Sequence, residues 1–124
     1  MKTLHLNLKK KWFDMILSGE KTEEYREIKP SIISLLFDWK NIGNTREYLE
    51  ATIKDDHESA ECWCTLKEYH TITFSNGYAK DRRQMVILFD SIVIDKGNSD
   101  WGAEKDKYYF VLNLGLILST SNIG

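Results

Sequence analysis

Leu4, Leu6 and Leu8 alternate with Thr3, His5 and Asn7, the two-residue period of a strand buried on one face. Trp12, Phe13, Ile16 and Leu17 then recur at helical spacing. Ser18-Gly19 supplies the stop, because glycine tolerates the left-handed backbone that ends many helices. Residues 21–28 read as a second strand. Pro30 opens a second helix, where its missing N–H costs nothing, and Ile32, Ile33, Leu36, Phe37 and Trp39 give that helix a broad apolar face. Alternation returns at residues 70–74, and Ser75-Asn76-Gly77 is a turn signal. Residues 84–95 are rich in Val, Ile and Phe and stop at Lys96-Gly97-Asn98. Residues 108–118 form a last long strand, and Gly115 inside it predicts a bulge or a bend.

Residues 41–68 break this regularity. Tyr48, Leu49 and Ile53 suit a short helix, but Asp55-Asp56-His57-Glu58 interrupts it. The order of elements predicts a small α+β fold. The sheet should curl into a partly closed barrel of about five or six strands, with two or three helices packed around it. Residues 1–124 read as a single domain, with an insert at about 41–68.

The length of 124 residues agrees with one domain. Hydrophobic residues at 42% and charged residues at 29% exclude disorder and low complexity. No apolar run approaches the roughly 18–20 residues of a membrane span. The opening residues alternate instead of forming the apolar block of a signal peptide. A soluble, cytoplasmic protein is the expectation. Cys62-Trp63-Cys64 has too short a spacing for the common zinc and redox motifs, even with His57 and His70 nearby. The two cysteines read as reduced thiols, and no metal or cofactor is expected.

The formal net charge of −2 argues at face value against nucleic acid. Its distribution changes that. Residues 46–68 hold seven acids and three bases, a net of −4, which leaves +2 for the rest of the chain. Two basic clusters stand out. Lys9-Lys10-Lys11 opposes the helix dipole at the start of the first helix, and Lys80, Arg82 and Arg83 follow Tyr78. Solvated surface residues would explain both clusters, and so would a nearby anion.

The densest polar segment is Ser18-Gly19-Glu20-Lys21-Thr22-Glu23-Glu24-Tyr25-Arg26. Gly19 turns the chain out of the helix and sets Lys21 at the mouth of the next strand. On that strand Thr22, Glu24 and Arg26 share one face, and Tyr25 points the other way to pack. In a cleft such a group could grip a phosphate or a polar base edge, with Arg26 as a planar fork and Lys21 as a point charge. On a solvated face it would be a set of ordinary salt bridges. Tyr78 is either a base-stacking platform beside Arg82 and Arg83 or a residue packed over the barrel end. Trp12, Phe13, Phe37, Phe89 and Phe110 belong to the core. Trp101 could cap the core or the cleft, and His5 faces the polar side of the sheet.

The segment Gly19 to Arg26, as Gly-x-Lys-Thr-x-x-x-Arg, resembles the opening signature of the ASCH domain, a member of the PUA-like superfamily. The resemblance continues through Glu27 to Pro30, through Phe74-Ser75-Asn76-Gly77-Tyr78 before a basic turn, and through Trp101-Gly102 and the strand that follows. It covers most of the chain outside 41–68. It implies a PUA-like β-barrel whose cleft binds RNA or a nucleotide, such as a modified nucleoside. Lys21, Thr22, Glu24 and Arg26 would form the floor of that cleft, with Asn76, Tyr78, Arg82 and Arg83 at its rim. Some bacterial members are amidohydrolases of acetylated cytidine, with the motif Gly-x-Lys-Thr-x-Thr-x-Arg, in which the Lys and the second Thr are catalytic. Here Glu24 replaces that Thr, and Thr22 takes the non-catalytic position. An alternative is therefore a hydrolase, either an amidohydrolase of acylated cytidine-type nucleosides or a nuclease, with Lys21 and Glu24 as the catalytic pair. A second alternative is a protein-interaction module that meets its partner through residues 46–68.

Overall fold

The computed structural model describes residues 2–36 and 69–123. In chain order the elements are β1 (Thr3–Asn7), α1 (Lys10–Leu17), β2 (Glu23–Arg26), α2 (Pro30–Leu36), β3 (Thr71–Asn76), β4 (Arg83–Lys96), a short 3-10 turn (Ser99–Trp101) and β5 (Tyr108–Ser121). The expected helix at 48–53, the acidic insert, Phe37, Trp39 and the two cysteines lie outside the described residues. No described helix is long and apolar enough to cross a membrane.

The strands form one mixed sheet in the order β1-β3-β4-β5-β2, with β1 and β2 at its two edges. β1 runs parallel to β3, and the other pairs are antiparallel. The result is a small α+β fold built on a half-barrel sheet.

The alternation in β1 has the predicted effect: Leu4 and Leu6 are buried, and His5 is exposed. β1 and β3 are also tied by their side chains, with the Thr3 and Thr73 hydroxyl oxygens 2.9 Å apart. Phe13 and Ile16 of α1 and Ile33 and Leu36 of α2 join Ile72, Phe74, Met85, Phe110 and Leu112 in the main core. Each large side chain buried there contributes about 1.5–3 kcal/mol.

The sheet curls because β4 and β5 fall out of step, with register shifts between Val86 and Ser91. The pairing jumps from Ile87↔Ile117 to Phe89↔Leu114, so Gly115 and Leu116 stand opposite the single Leu88. A Cβ at Gly115 would meet Leu88 Cβ at 3.0 Å. The bend predicted from this glycine therefore belongs to a bulged region, where added twist helps to close a sheet.

Tyr109, Phe110, Val111 and Leu112 are buried in succession, so this stretch of β5 is covered on both faces. Phe110 and Leu112 face the main core. Tyr109 and Val111 pack with Ala103 and Tyr25 in a second, smaller cluster. That cluster fastens the 97–107 loop to the outer face of the sheet. Asn98 N–H donates to Tyr25 Oη at 2.9 Å, and Glu104 N–H donates to Tyr109 Oη at 3.0 Å. Gly97 is required for this fit, since a Cβ there would lie 2.7 Å from the Tyr25 ring.

Candidate functional site

α1 ends as its sequence predicts. Gly19 takes φ +85, and the Lys21 amide returns to Met15 O at 3.0 Å. The turn drives Lys21 inward, where it is 2% exposed. Its ammonium donates to Glu24 Oε1 at 2.9 Å and lies 4.6 Å from the centre of the Trp12 ring and 5.7 Å from that of Tyr25. Glu24 is 5% exposed, and its other oxygen accepts from Arg26 Nη2 at 2.8 Å. Lys21 and Glu24 form a buried ion pair, and half-buried Arg26 extends it toward the surface. Water no longer screens the cation–carboxylate contacts there, and the two rings add cation–π attraction to Lys21.

Arg26 also bridges the two edges of the sheet. Its Nη2 donates to Asn7 O at 3.0 Å, so one guanidinium joins edge strand β2 to edge strand β1. Its Nε is buried and has no hydrogen-bond partner among the described residues. At 23% side-chain exposure, Arg26 is the member of the chain that a ligand can reach.

This seam opens into a cleft of about 440 Å³, lined by Asn7, Lys9, Trp12, Lys21, Glu24, Arg26, Glu27, Trp101 and Glu104 among others. Its lining carries three cations (Lys9, Lys21, Arg26) and three carboxylates (Glu24, Glu27, Glu104). Tyr25 and Tyr109 join Trp12 and Trp101 in it. A cleft with balanced charge and aromatic walls suits a flat, polar, uncharged group better than a bare anion.

Tyr25 packs on the face opposite Glu24, as its alternation predicts, and donates to Glu23 Oε1 at 2.6 Å. Burial, and then the bond to Glu23, push its phenol well above the usual value of 10.0.

A second hollow of about 470 Å³ lies on the other side of Asn7, lined by His5, Leu6, Asn7, Ser75, Gly77, Tyr78 and Arg82. Tyr78 is 88% exposed, so it does not pack over the barrel end. Asn7 belongs to both linings and is held from both sides. Its carbonyl accepts from Arg26, and its Nδ2 donates to Gly77 O at 2.8 Å.

The structure therefore divides the residues expected in one cleft. Lys21, Glu24 and Arg26 meet in the first cavity, and Tyr78 and Arg82 meet in the second. Thr22 is exposed and precedes β2; its carbonyl accepts from Leu114 N–H, and it lines neither cavity. Asn76 and Arg83 are latches instead of rim residues. Asn76 Nδ2 donates to Leu8 O at 3.0 Å. Arg83 donates to Asn76 Oδ1 at 3.0 Å and to Asp14 Oδ1 at 2.7 Å, over the Phe13 ring. Lys10, and then Arg83, hold the Asp14 carboxyl below its usual value of 3.8. The first-helix lysines also separate: Lys9 lines the cleft, Lys10 pairs with Asp14 at 2.7 Å, and Lys11 rests on the Trp12 ring.

Sequence reasoning missed Trp12 as a wall residue, and it missed Asn7. Glu104 and Gly102 arrive through the 97–107 loop. Gly102 has φ +102, and a Cβ there would lie 3.0 Å from the Trp12 ring, so its size and backbone both set this wall. The tight Trp101-Gly102 pair was the available signal.

No family model matches the chain, and no curated protein or solved structure does either.

Proposed function

We propose that this chain is an ASCH-like domain of the PUA-like superfamily that binds RNA or a nucleotide by seating a base over Lys21, Glu24 and Arg26. The supporting observation is the buried Lys21–Glu24 pair, extended by half-buried Arg26, at the floor of an open cleft with aromatic walls. Buried ion pairs contribute little net stability, because desolvation offsets their attraction. Placing one at the base of a cleft is better explained by recognition. The balanced charge of the lining favours a base over a bare phosphate. The aromatic rings offer stacking, and Arg26 offers donors to a base carbonyl or ring nitrogen.

The contacts of Glu24 favour binding over hydrolysis. A general base needs a carboxylate that the attacking water can reach, and Glu24 is only 5% exposed. Both Glu24 oxygens already accept from cations, at 2.9 and 2.8 Å. Glu24 then serves to hold Lys21 and Arg26 in place.

Calorimetric titration of ribonucleosides, their monophosphates and short RNAs at low salt tests the proposal. Saturable binding is expected. Arg26→Ala should weaken it at least about tenfold, since a hydrogen bond from a charged donor is worth about 1.5–3 kcal/mol. No binding, or binding that Arg26→Ala leaves unchanged, overturns the proposal. Turnover of acylated cytidine that disappears in Lys21→Ala would favour the hydrolase reading instead.

A further inference from the structure

We infer that the ligand is a single strand, not a free nucleoside: the hollow carrying Tyr78 and Arg82 takes the phosphate and base next to the one seated in the cleft. This rests on the reading of the cleft given above. It comes from the way the two cavities differ and where they touch.

The cavities meet at one residue, Asn7, which lines both. The ridge is fixed, because Arg26 holds the Asn7 carbonyl and Gly77 O holds its side-chain amide. A chain crossing this ridge leaves a charge-balanced cavity and enters one with a different lining. In the second hollow Arg82 is the only Lys, Arg, Asp or Glu among the lining residues. Its side chain has one hydrogen bond recorded among the described residues, from Nη1 to Ala79 O at 3.2 Å. Most of its fork therefore remains open to an anion. Tyr78, next to it, presents a ring at 88% exposure. A large aromatic is rarely left so open, and beside a guanidinium it suits a stacked base with a phosphate alongside.

The turn that carries them is also held through the Arg82 main chain. The Arg82 amide bonds to Ala79 O at 3.1 Å, and its carbonyl accepts from Asn122 at 3.1 Å. Both use the Arg82 main chain, so they persist when the Arg82 side chain is truncated and only its Nη1 bond to Ala79 O is lost. His5 and Ser75 supply further polar groups to the hollow.

The division of labour predicts two signatures. A strand should bind more tightly than its nucleoside. Binding of the strand should also weaken with salt, because a phosphate contact releases counterions, whereas a neutral nucleoside in the cleft shows no such slope.

The test is calorimetric titration of the four ribonucleosides and the four homotrimers over a salt series. The best-bound trimer should exceed its nucleoside about tenfold, the scale of one stacked base. Tyr78→Ala should abolish that gain. Arg82→Ala should reduce the slope of log K against log salt by about 0.7, one single-strand phosphate. If nucleoside and trimer bind equally, or if the gain survives both substitutions, the inference is overturned while the cleft reading stands. If neither nucleoside nor trimer binds, the cleft reading falls with it.

Discussion

On one side of Asn7, Lys21 and Glu24 are buried and paired with each other; on the other, Tyr78 is exposed and most of the Arg82 fork is open. Lys21 and Glu24 reached the cleft floor by giving up water and must keep each other as partners. Tyr78 and Arg82 gave up little. The first arrangement fixes geometry at a risk to stability, and the second keeps stability but leaves geometry to the ligand. Preorganised sites lose less ordering entropy on binding, so under the proposed function the cleft would set selectivity and the hollow would add affinity.

The largest effect expected from this contrast lies at Glu24. Glu24→Gln strands the Lys21 ammonium in the interior, which costs about 3–5 kcal/mol. Urea unfolding measures this. Adding Lys21→Met should recover much of the loss, since removing both charges removes the stranded one, while ligand binding stays lost. Recovery of binding together with stability would erase the distinction between the two regions.

Two glycines give a narrower comparison. Gly77 borders the hollow with φ +88 and open space around it. Gly102 borders the cleft with φ +102 and the Trp12 ring 3.0 Å from a would-be Cβ. Gly77→Ala should cost about 1 kcal/mol of backbone strain. Gly102→Ala should cost about 2–3 kcal/mol, because overpacking adds to the same strain. Equal costs in thermal or urea unfolding would mean that the cleft wall is no tighter than the hollow.

The smallest effect concerns Tyr25, which fastens the 97–107 loop to the cleft. Its phenol is raised above 10.0, so the folded state favours the neutral form. The stability it contributes is complete below pH 10.0 and is lost as pH rises through the folded value. Unfolding midpoints followed with phenolate absorbance should fall above that pH, and Tyr25→Phe should flatten the fall. Tyr69, raised by burial, would account for the remainder. An unchanged slope in Tyr25→Phe would detach the loop from this residue.

The parts of the molecule legible in sequence are those decided by neighbours along the chain. The alternation of β1, the stop at Gly19, the proline start of α2 and the bend near Gly115 each depend on a few adjacent residues. So does the meeting of Lys21, Glu24 and Arg26, because a helix, a glycine turn and a strand fix it locally. What stayed hidden depends on distant partners. Arg83 and Asn76 looked like rim residues beside Tyr78, but Arg83 is committed to Asp14, 69 positions away. Trp12 fitted an apolar helical face, and nothing local shows that Gly102 returns against it. The cleft walls come from the 97–107 loop, whose position is set by hydrogen bonds at Tyr25 and Tyr109.

The central claim is that a ligand base sits over Lys21, Glu24 and Arg26 in the cleft whose lining includes Trp12 and Trp101. An NMR titration of ¹⁵N-labelled protein with the best-bound nucleoside reads it most directly, through the Arg26 Nε–H and the two indole N–H signals. The account predicts that these three signals move together and saturate with one affinity. Saturable shifts elsewhere, with these three unmoved, would contradict it.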